Sequence, residues 1–289
     1  MLLLLDPLAR LSRTETRGRL FSALGEFCWY MSGSDKLTAI EYYVKEYRKD
    51  AVDGVLPGAY GPRLVGGRDG NQLDRVISLL QERPTSRRAV IRLFDAVDAH
   101  ADQRDVPCTC TLQYLNRGGK LDAVTYMRSN DVYWGLPHDV FCFTMLQEYI
   151  ARILGVELGS YKHVVGSLHL YEEREKCAYE FLNEGYQSTE HPMPSMPITE
   201  PIQSLSRLLS AEEKLREPSV DWPRVRQFES DMDPYWGDLV RLLHSYRLSK
   251  DLKDDPGEAT VSLERLKEKM ESDVYSPFID RLIGRLRDG

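Results

Sequence analysis

The chain has 289 residues, 42% of them hydrophobic, and a formal net charge of -7. It contains no apolar run near the ~18 residues that a membrane span requires, and its acidic balance argues against a nonspecific nucleic-acid binder, which normally carries a basic excess. The five cysteines, at 28, 108, 110, 142 and 177, are odd in number and lack zinc-ribbon spacing, so they read as reduced thiols of a soluble cytoplasmic protein rather than a disulfide framework or a metal site.

In chain order, Met1 to Leu5 is apolar but stops at Asp6-Pro7 without a basic flank or a small-residue cleavage site. It reads as a strand entering the core rather than a secretory signal. Ser12 followed three residues later by Glu15 is a capping-box pattern, and Leu20, Leu24, Phe27 and Tyr30 recur at helical spacing as far as Gly33, predicting a buried helix over 13–32. A second helix is expected over 36–50. The Gly/Pro-rich stretch 54–70 reads as a loop, and Leu73, Val76, Ile77 and Leu80 mark an amphipathic helix ending before Pro84. Residues 88–94, 108–115 and 121–127 are rich in β-branched or aromatic side chains and are separated by turn residues such as Asn116-Arg117-Gly118-Gly119, so they read as strands of one sheet. Residues 136–154, stopped by Gly155, are apolar nearly all round and predict a helix buried at the centre, while 161–171 returns to strand-like alternation. From Pro201 the chain is charged, with helical periodicity in 202–215, 236–252 and 263–286 and no strand candidate; no internal repeat or low-complexity tract interrupts it. The pattern is α+β, with a core over 1–200 and a helical region over 201–289 packed on it.

Taken singly, the polar residues of interest have plain readings. Cys108 and Cys110 suit small buried strand positions, Arg87-Arg88 a solvated edge, and His138-Asp139 a helix start with favourable negative charge. Their order changes this. Glu26 in Gly25-Glu26-Phe27-Cys28-Trp29-Tyr30, Tyr60-Gly61, Ser86-Arg87-Arg88, Pro107-Cys108, Arg128-Ser129-x-Asp131, Gly135-Leu136-Pro137 and His169-x-Tyr171 together resemble the thymidylate synthase family over residues 14–175. None of these strings is specific alone. Their joint occurrence in the family's order carries the resemblance.

The resemblance implies a mixed sheet, an obligate homodimer, and one-carbon transfer from 5,10-methylenetetrahydrofolate, used as co-substrate, to carbon 5 of a pyrimidine nucleoside monophosphate. Carbon 5 is a poor nucleophile until a thiolate adds to carbon 6, and Cys108 is the implied thiolate, with Arg128 nearby to lower its pKa. Arg128 and Ser129 would bind the nucleotide phosphate from within the subunit, and Arg87 and Arg88 from a second subunit; guanidinium is the planar, permanent charge that phosphate recognition needs. Met1 aligns beyond the family's further phosphate arginine, which leaves Arg10, Arg13 or Arg17 to replace it, or a truncated chain. Gly135 belongs to the substrate-binding set, and His169 and Tyr171, two apart on a strand, would share a face toward the sugar 3'-hydroxyl. Glu26 would organise water and protons at carbon 5, Tyr60 would help remove the carbon 5 proton, and Asp131 would contact the pterin of the folate.

The departures sharpen the expectation. Asp139 stands where synthases have an asparagine that accepts from the uracil ring N–H and donates to the carbonyl at carbon 4. An aspartate accepting from an amino group and sharing a proton with ring nitrogen 3 suits cytosine, and the same substitution marks the family's cytidylate hydroxymethylase branch. Tyr47-Arg48-Lys49-Asp50-Ala51 occupies the region of the synthases' shielding tryptophans, and 283–289 lacks their apolar end, so water rather than hydride would capture the intermediate. His138 and Thr109 also depart from the pattern. The reading is a (d)CMP 5-hydroxymethylase; the alternatives are a thymidylate synthase methylating dUMP and a catalytically retired nucleotide-binding dimer.

Overall fold

The protein is described here from a computed structural model covering residues 1–12, 18–66, 70–100, 105–252 and 255–288. Strands β1 (Leu2–Leu5), β2 (Val90–Arg92), β3 (Thr109–Arg117), β4 (Lys120–Asp131) and β5 (Glu157–His169) form one mixed sheet in the order β1-β5-β4-β3-β2. β4 and β5 are parallel, with Asp131 opposite His169, and every other pair is antiparallel. The β3–β4 hairpin turns at Gly118 and Gly119, which adopt φ of +59° and +79°, a left-handed pair that glycine enters without a Cβ penalty.

The parallel pair requires a crossover, and α5 (Gly135–Leu154) supplies it. Its apolar composition is explained by its place: Phe141, Phe143, Met145 and Ile150 lie fully inside the core, and Gly155 ends the helix at φ +65°. α1 (Leu20–Ser32) packs beside it, closed by Gly33 at φ +71°. The expected capping residue Glu15 lies outside the described residues, and the described helix starts at Leu20.

Several expectations give way. The predicted helix over 36–50 divides into α2 (Leu37–Ile40) and a 3-10 turn over Lys45–Lys49, with Tyr43 buried between them. The expected loop 54–70 contains α3 (Tyr60–Val65), because Arg63 reaches Asp98, Leu93 O and Pro57 O and anchors a helical turn there. β1 does not enter the core but borders β5 as an edge strand, leaving Leu2 and Leu4 exposed. α4 (Gln72–Glu82) follows the predicted amphipathic pattern. After β5 come α6 (Glu175–Asn183), α7 (Pro201–Arg216), α8 (Trp222–Asp231), α9 (Pro234–Asp251), α10 (Pro256–Lys267) and α11 (Ser276–Asp288), so the expected helix over 263–286 is two, broken at 268–275.

Helices α7 and α9 pack on α1, and Tyr246 of α9 stacks on Phe21 and Tyr43 at ring separations of 5.8 and 5.4 Å. Behind α5, Glu148 is fully buried and accepts from Arg10 (2.7 Å), Arg152 (3.0 Å) and the backbone N–H of Met196 (2.8 Å). Arg10 is thus consumed by the core and is not placed to bind a phosphate; Arg13 and Arg17 lie outside the described residues. None of the described helices is long and apolar enough to cross a membrane.

Candidate active site

A cleft of about 340 Å³ opens where β4 and β5 end and α5 begins, lined by residues from six segments that the sequence separates widely: Glu26 and Tyr30 of α1, the stretch around Tyr47, Tyr60, Cys108, the 130–139 stretch, and 169–174. A side chamber of about 120 Å³, walled by Trp29, Tyr47, Tyr60, Asp105 and Cys108, adjoins it and shares Tyr30, Tyr47, Tyr60 and Cys108 with it.

Cys108 sits just before β3, where the register with β4 shifts between Thr109 and Thr111. Such an irregularity re-aims side chains, so Cys108 and Cys110 do not alternate simply. Arg128 grips the approach to the cysteine, donating to Pro107 O (2.9 Å) and Val106 O (3.0 Å), and its Nη2 lies 3.8 Å from the sulfur. Burial pushes the Cys108 thiol above its ordinary range; Arg128 pulls it down, while Asp139 and Asp105 push it up. The guanidinium alone therefore does not leave a thiolate, contrary to the simplest expectation from its proximity. Tyr60 accepts the Thr109 N–H at 3.1 Å, and burial holds its phenol well above the usual range, so it keeps a proton to give. The Thr109 hydroxyl is buried without a partner among the described residues.

Glu26 faces the cleft from the middle of α1, with the hydroxyls of Tyr30 (2.8 Å) and Tyr47 (2.5 Å) both donating to its Oε1. Asp139, one turn into α5, is 8% exposed and accepts from Asn130 Nδ2 at 2.7 Å. Burial, then the neighbouring Glu26, raises its carboxyl well above the ordinary aspartate range despite that hydrogen bond. Its surroundings thus favour the neutral form of the carboxyl over the charged one. His138 beside it also lines the cleft and is held by Ser22 Oγ (2.8 Å) and Trp134 O (3.0 Å).

Asp131 accepts the N–H groups of Trp134 and Gly135 through Oδ1 and so caps the turn into α5, while its Oδ2 is buried without a partner among the described residues. A Cβ at Gly135 would stand 2.9 Å from Asn130 Nδ2, so glycine is needed for backbone approach there. His169 ends β5, but Tyr171 lies beyond the strand, and their rings meet edge-on at 4.9 Å rather than side by side on one face. Ser129 Oγ is 3.3 Å from His169 Nδ1. Arg87 and Arg88 stand apart from all of these, exposed on a surface groove with Arg83 and Ser86 ahead of β2.

The structure also brings in residues to which sequence reasoning gave no role: Tyr30, Asn130, Trp134 and Arg174 on the cleft wall and His163 beneath it. The guanidiniums of Arg19 (3.4 Å) and Arg174 (4.8 Å) both lie over the Trp134 ring. A sequence signal existed for His163, a histidine between Tyr161 and Val165 on the buried face of a strand. Tyr47, read only as a missing tryptophan, supplies a hydroxyl to Glu26.

The mixed sheet, the central helix behind it and a cysteine at the cleft mouth define an α+β domain of the thymidylate synthase class. The family model for thymidylate synthase matches residues 12–216, and the chain belongs to that family. It is 34% identical over 157 residues, 53% of its length and 45% of the relative's, to a deoxyuridylate hydroxymethyltransferase of Pseudomonas phage M6. With a deoxyuridylate hydroxymethyltransferase of Bacillus phage SP01 it shares 33% identity over 165 residues, 52% of its own length and 43% of the relative's. The chain thus spans less than half the length of these curated relatives.

Proposed function

We propose that this protein transfers a hydroxymethyl group from methylenetetrahydrofolate to carbon 5 of a cytidine monophosphate, CMP or dCMP. The observation that carries this reading is Asp139, a buried carboxyl on the wall of the Cys108 cleft, hydrogen-bonded by Asn130 at 2.7 Å, whose burial favours its neutral form. Cytosine presents an amino donor beside an unprotonated ring nitrogen, and a neutral carboxyl answers both, accepting from the amino group and donating to nitrogen 3.

Cys108 Sγ bonds to carbon 6 and makes carbon 5 nucleophilic, with Arg128 offsetting the cost of a buried thiolate. Methylenetetrahydrofolate, when bound, supplies the one-carbon unit. Asp131 Oδ2 and the Trp134 indole N–H, buried without a hydrogen-bond partner among the described residues, are groups that a pterin edge can satisfy, so the residues present fit a folate, and Asp131 would hold it. Tyr60 relays the proton lost from carbon 5. Water held by Glu26, whose other partners are the Tyr30 and Tyr47 hydroxyls, adds to the exocyclic methylene left on the nucleotide, and the Cys108 thiolate is then expelled. Nucleotide, methylenetetrahydrofolate and water become hydroxymethyl nucleotide and tetrahydrofolate. Arg128 and Ser129 bind the phosphate, and His169 and Tyr171 the sugar. Arg87 and Arg88, remote from their own cleft, serve the site of a second subunit in a homodimer.

Deoxyuridylate hydroxymethylation is the second reading. The names of both relatives favour it, and a protonated carboxyl can also offer uracil one donor and one acceptor. Incubation of CMP, dCMP and dUMP with methylenetetrahydrofolate, with products read by mass spectrometry, decides between them. Hydroxymethylated cytidylate is expected; product from dUMP alone selects the second reading, and a rise in dihydrofolate absorbance would indicate methylation instead. Cys108→Ser must abolish turnover while nucleotide binding persists, and analytical ultracentrifugation must find a dimer.

A further inference from the structure

Asp139 is the outer end of a line of polar side chains that runs from the cleft into the sheet. Asn130 Nδ2 donates to Asp139 Oδ2 at 2.7 Å, Asn130 Oδ1 meets His163 Nε2 at 3.1 Å, and His163 Nδ1 meets the Tyr161 hydroxyl at 2.8 Å, which in turn is 3.1 Å from the hydroxyl of Thr125. Every member is buried, His163 and Tyr161 completely. Resting on the base-reading role of Asp139 proposed above, we infer that Asn130 and His163 are specificity-determining positioning residues, which fix Asp139 Oδ2 as an acceptor and so leave Oδ1 as the oxygen that donates to the base.

The direction of the line follows from its chemistry. His163 is desolvated, and its imidazole is held down at about 4, so it is neutral at physiological pH and carries a single ring proton. Asn130 presents Nδ2 to Asp139 and therefore Oδ1 to His163, which calls for the imidazole proton on Nε2; Nδ1 then accepts the single Tyr161 hydroxyl proton, and the Thr125 hydroxyl donates to the Tyr161 oxygen. The tautomer and the amide hold one another, with the amide N–H toward Asp139. An oxygen that receives this N–H is a poor place for the carboxyl proton, which therefore sits on Oδ1. Reversing the amide would set Asn130 Oδ1 against Asp139 Oδ2 unless Oδ2 took the proton, and it would also require the other imidazole tautomer. A carboxyl has nearly equivalent oxygens, and swapping its donor and acceptor exchanges the pattern suited to cytosine for the pattern suited to uracil. An asparagine cannot make this exchange without turning over. Aspartate can, so its discrimination depends on what stands behind it. Gly135 belongs to the same arrangement, since a Cβ there would press on Asn130 Nδ2 from 2.9 Å.

The test is the ratio of kcat/KM for the cytidine and uridine monophosphates, which does not depend on the fraction of enzyme that is folded. His163→Phe, which keeps the ring but cannot donate, and Asn130→Leu, which fills the space without an amide, should each move that ratio toward unity by about tenfold, the effect of one buried hydrogen bond. His163→Gln, whose amide still donates to Asn130, should restore most of it. Gly135→Ala reaches the same hydrogen bond from the opposite side and should act in the same direction, so the test survives if one core variant fails to fold. Asp139→Asn in the same assay separates the two levels. If it leaves the base preference unchanged, the base-reading proposal falls and this inference with it. If it shifts the preference while the Asn130, His163 and Gly135 variants keep the wild-type ratio, this inference alone is overturned.

Discussion

Replacing Arg128 isolates the electrostatics of the cysteine. Its Nη2 stands 3.8 Å from Cys108 Sγ, and the side chain also ties down Val106 O and Pro107 O, so it acts as both charge and clamp. A single opposite charge at about 4–6 Å shifts a pKa by roughly 1–3 units, and because this guanidinium is partly open to solvent the lower end applies. Arg128→Met should therefore move the Cys108 titration upward by about one unit and reduce the thiolate fraction at neutral pH by about tenfold, whereas Arg128→Lys, which keeps the charge but not the fork, should move it much less. The measurement is the pH dependence of iodoacetamide alkylation at Cys108, read by peptide mass spectrometry, beside turnover. Because burial outweighs Arg128 in the free enzyme, the wild-type midpoint should lie above the ordinary thiol value, and any added anion at the phosphate position should raise it further. A midpoint that does not move in Arg128→Met would refute the electrostatic role and leave only the clamp.

Three further outcomes are expected. Glu148→Gln breaks a fully buried ion network, which typically costs about 3–5 kcal/mol, and should lower the melting temperature by on the order of 10 °C in calorimetry; a change within experimental error would make that network a bystander. Tyr47→Phe keeps the ring that packs edge-on to Trp29 at 5.3 Å but removes the hydroxyl on Glu26, and should slow hydroxymethyl product formation by about tenfold with little change in nucleotide KM; undiminished turnover would remove Tyr47 from the reaction. His163 titrates at about 4 when folded and near 6.5 when unfolded, so the unfolded chain binds more protons in that window. Its contribution is full above pH 6.5 and is lost as pH falls toward 4, about 3 kcal/mol in all, so urea unfolding should show a steeper acid loss for the wild type than for His163→Gln.

What the sequence made legible was the part governed by period and punctuation. Leu73, Val76, Ile77 and Leu80 found their helix, Gly155 its stop, and Gly118-Gly119 its turn, because each follows from local backbone preference. The segments around Tyr43 and Arg63 misled because their shape is set by distant partners: Tyr43 donates to Glu212 of α7, and Arg63 pairs with Asp98. The cleft shows the same division. Cys108, Glu26, Tyr60, Asp131 and Asp139 were singled out from short strings in order, and the fold gathers them around one cleft. Asn130 and His163 carry no such string, and their pairing needs two parallel strands that α5 separates by a full crossover.

Glu26 rides on a helix held from both sides, by α5 on one flank and on the other by α9, whose Tyr246 lies against Phe21 and Tyr43. Tyr47, its partner across the cleft, rides on a single 3-10 turn with no buried residue of its own. The two ends of one hydrogen bond are thus anchored with very unequal stiffness. Under the proposed activity, substitutions along 45–50 would alter what reaches carbon 5 without disturbing the helix that carries the carboxylate, which makes this short turn the economical place for such a scaffold to exchange one capturing agent for another.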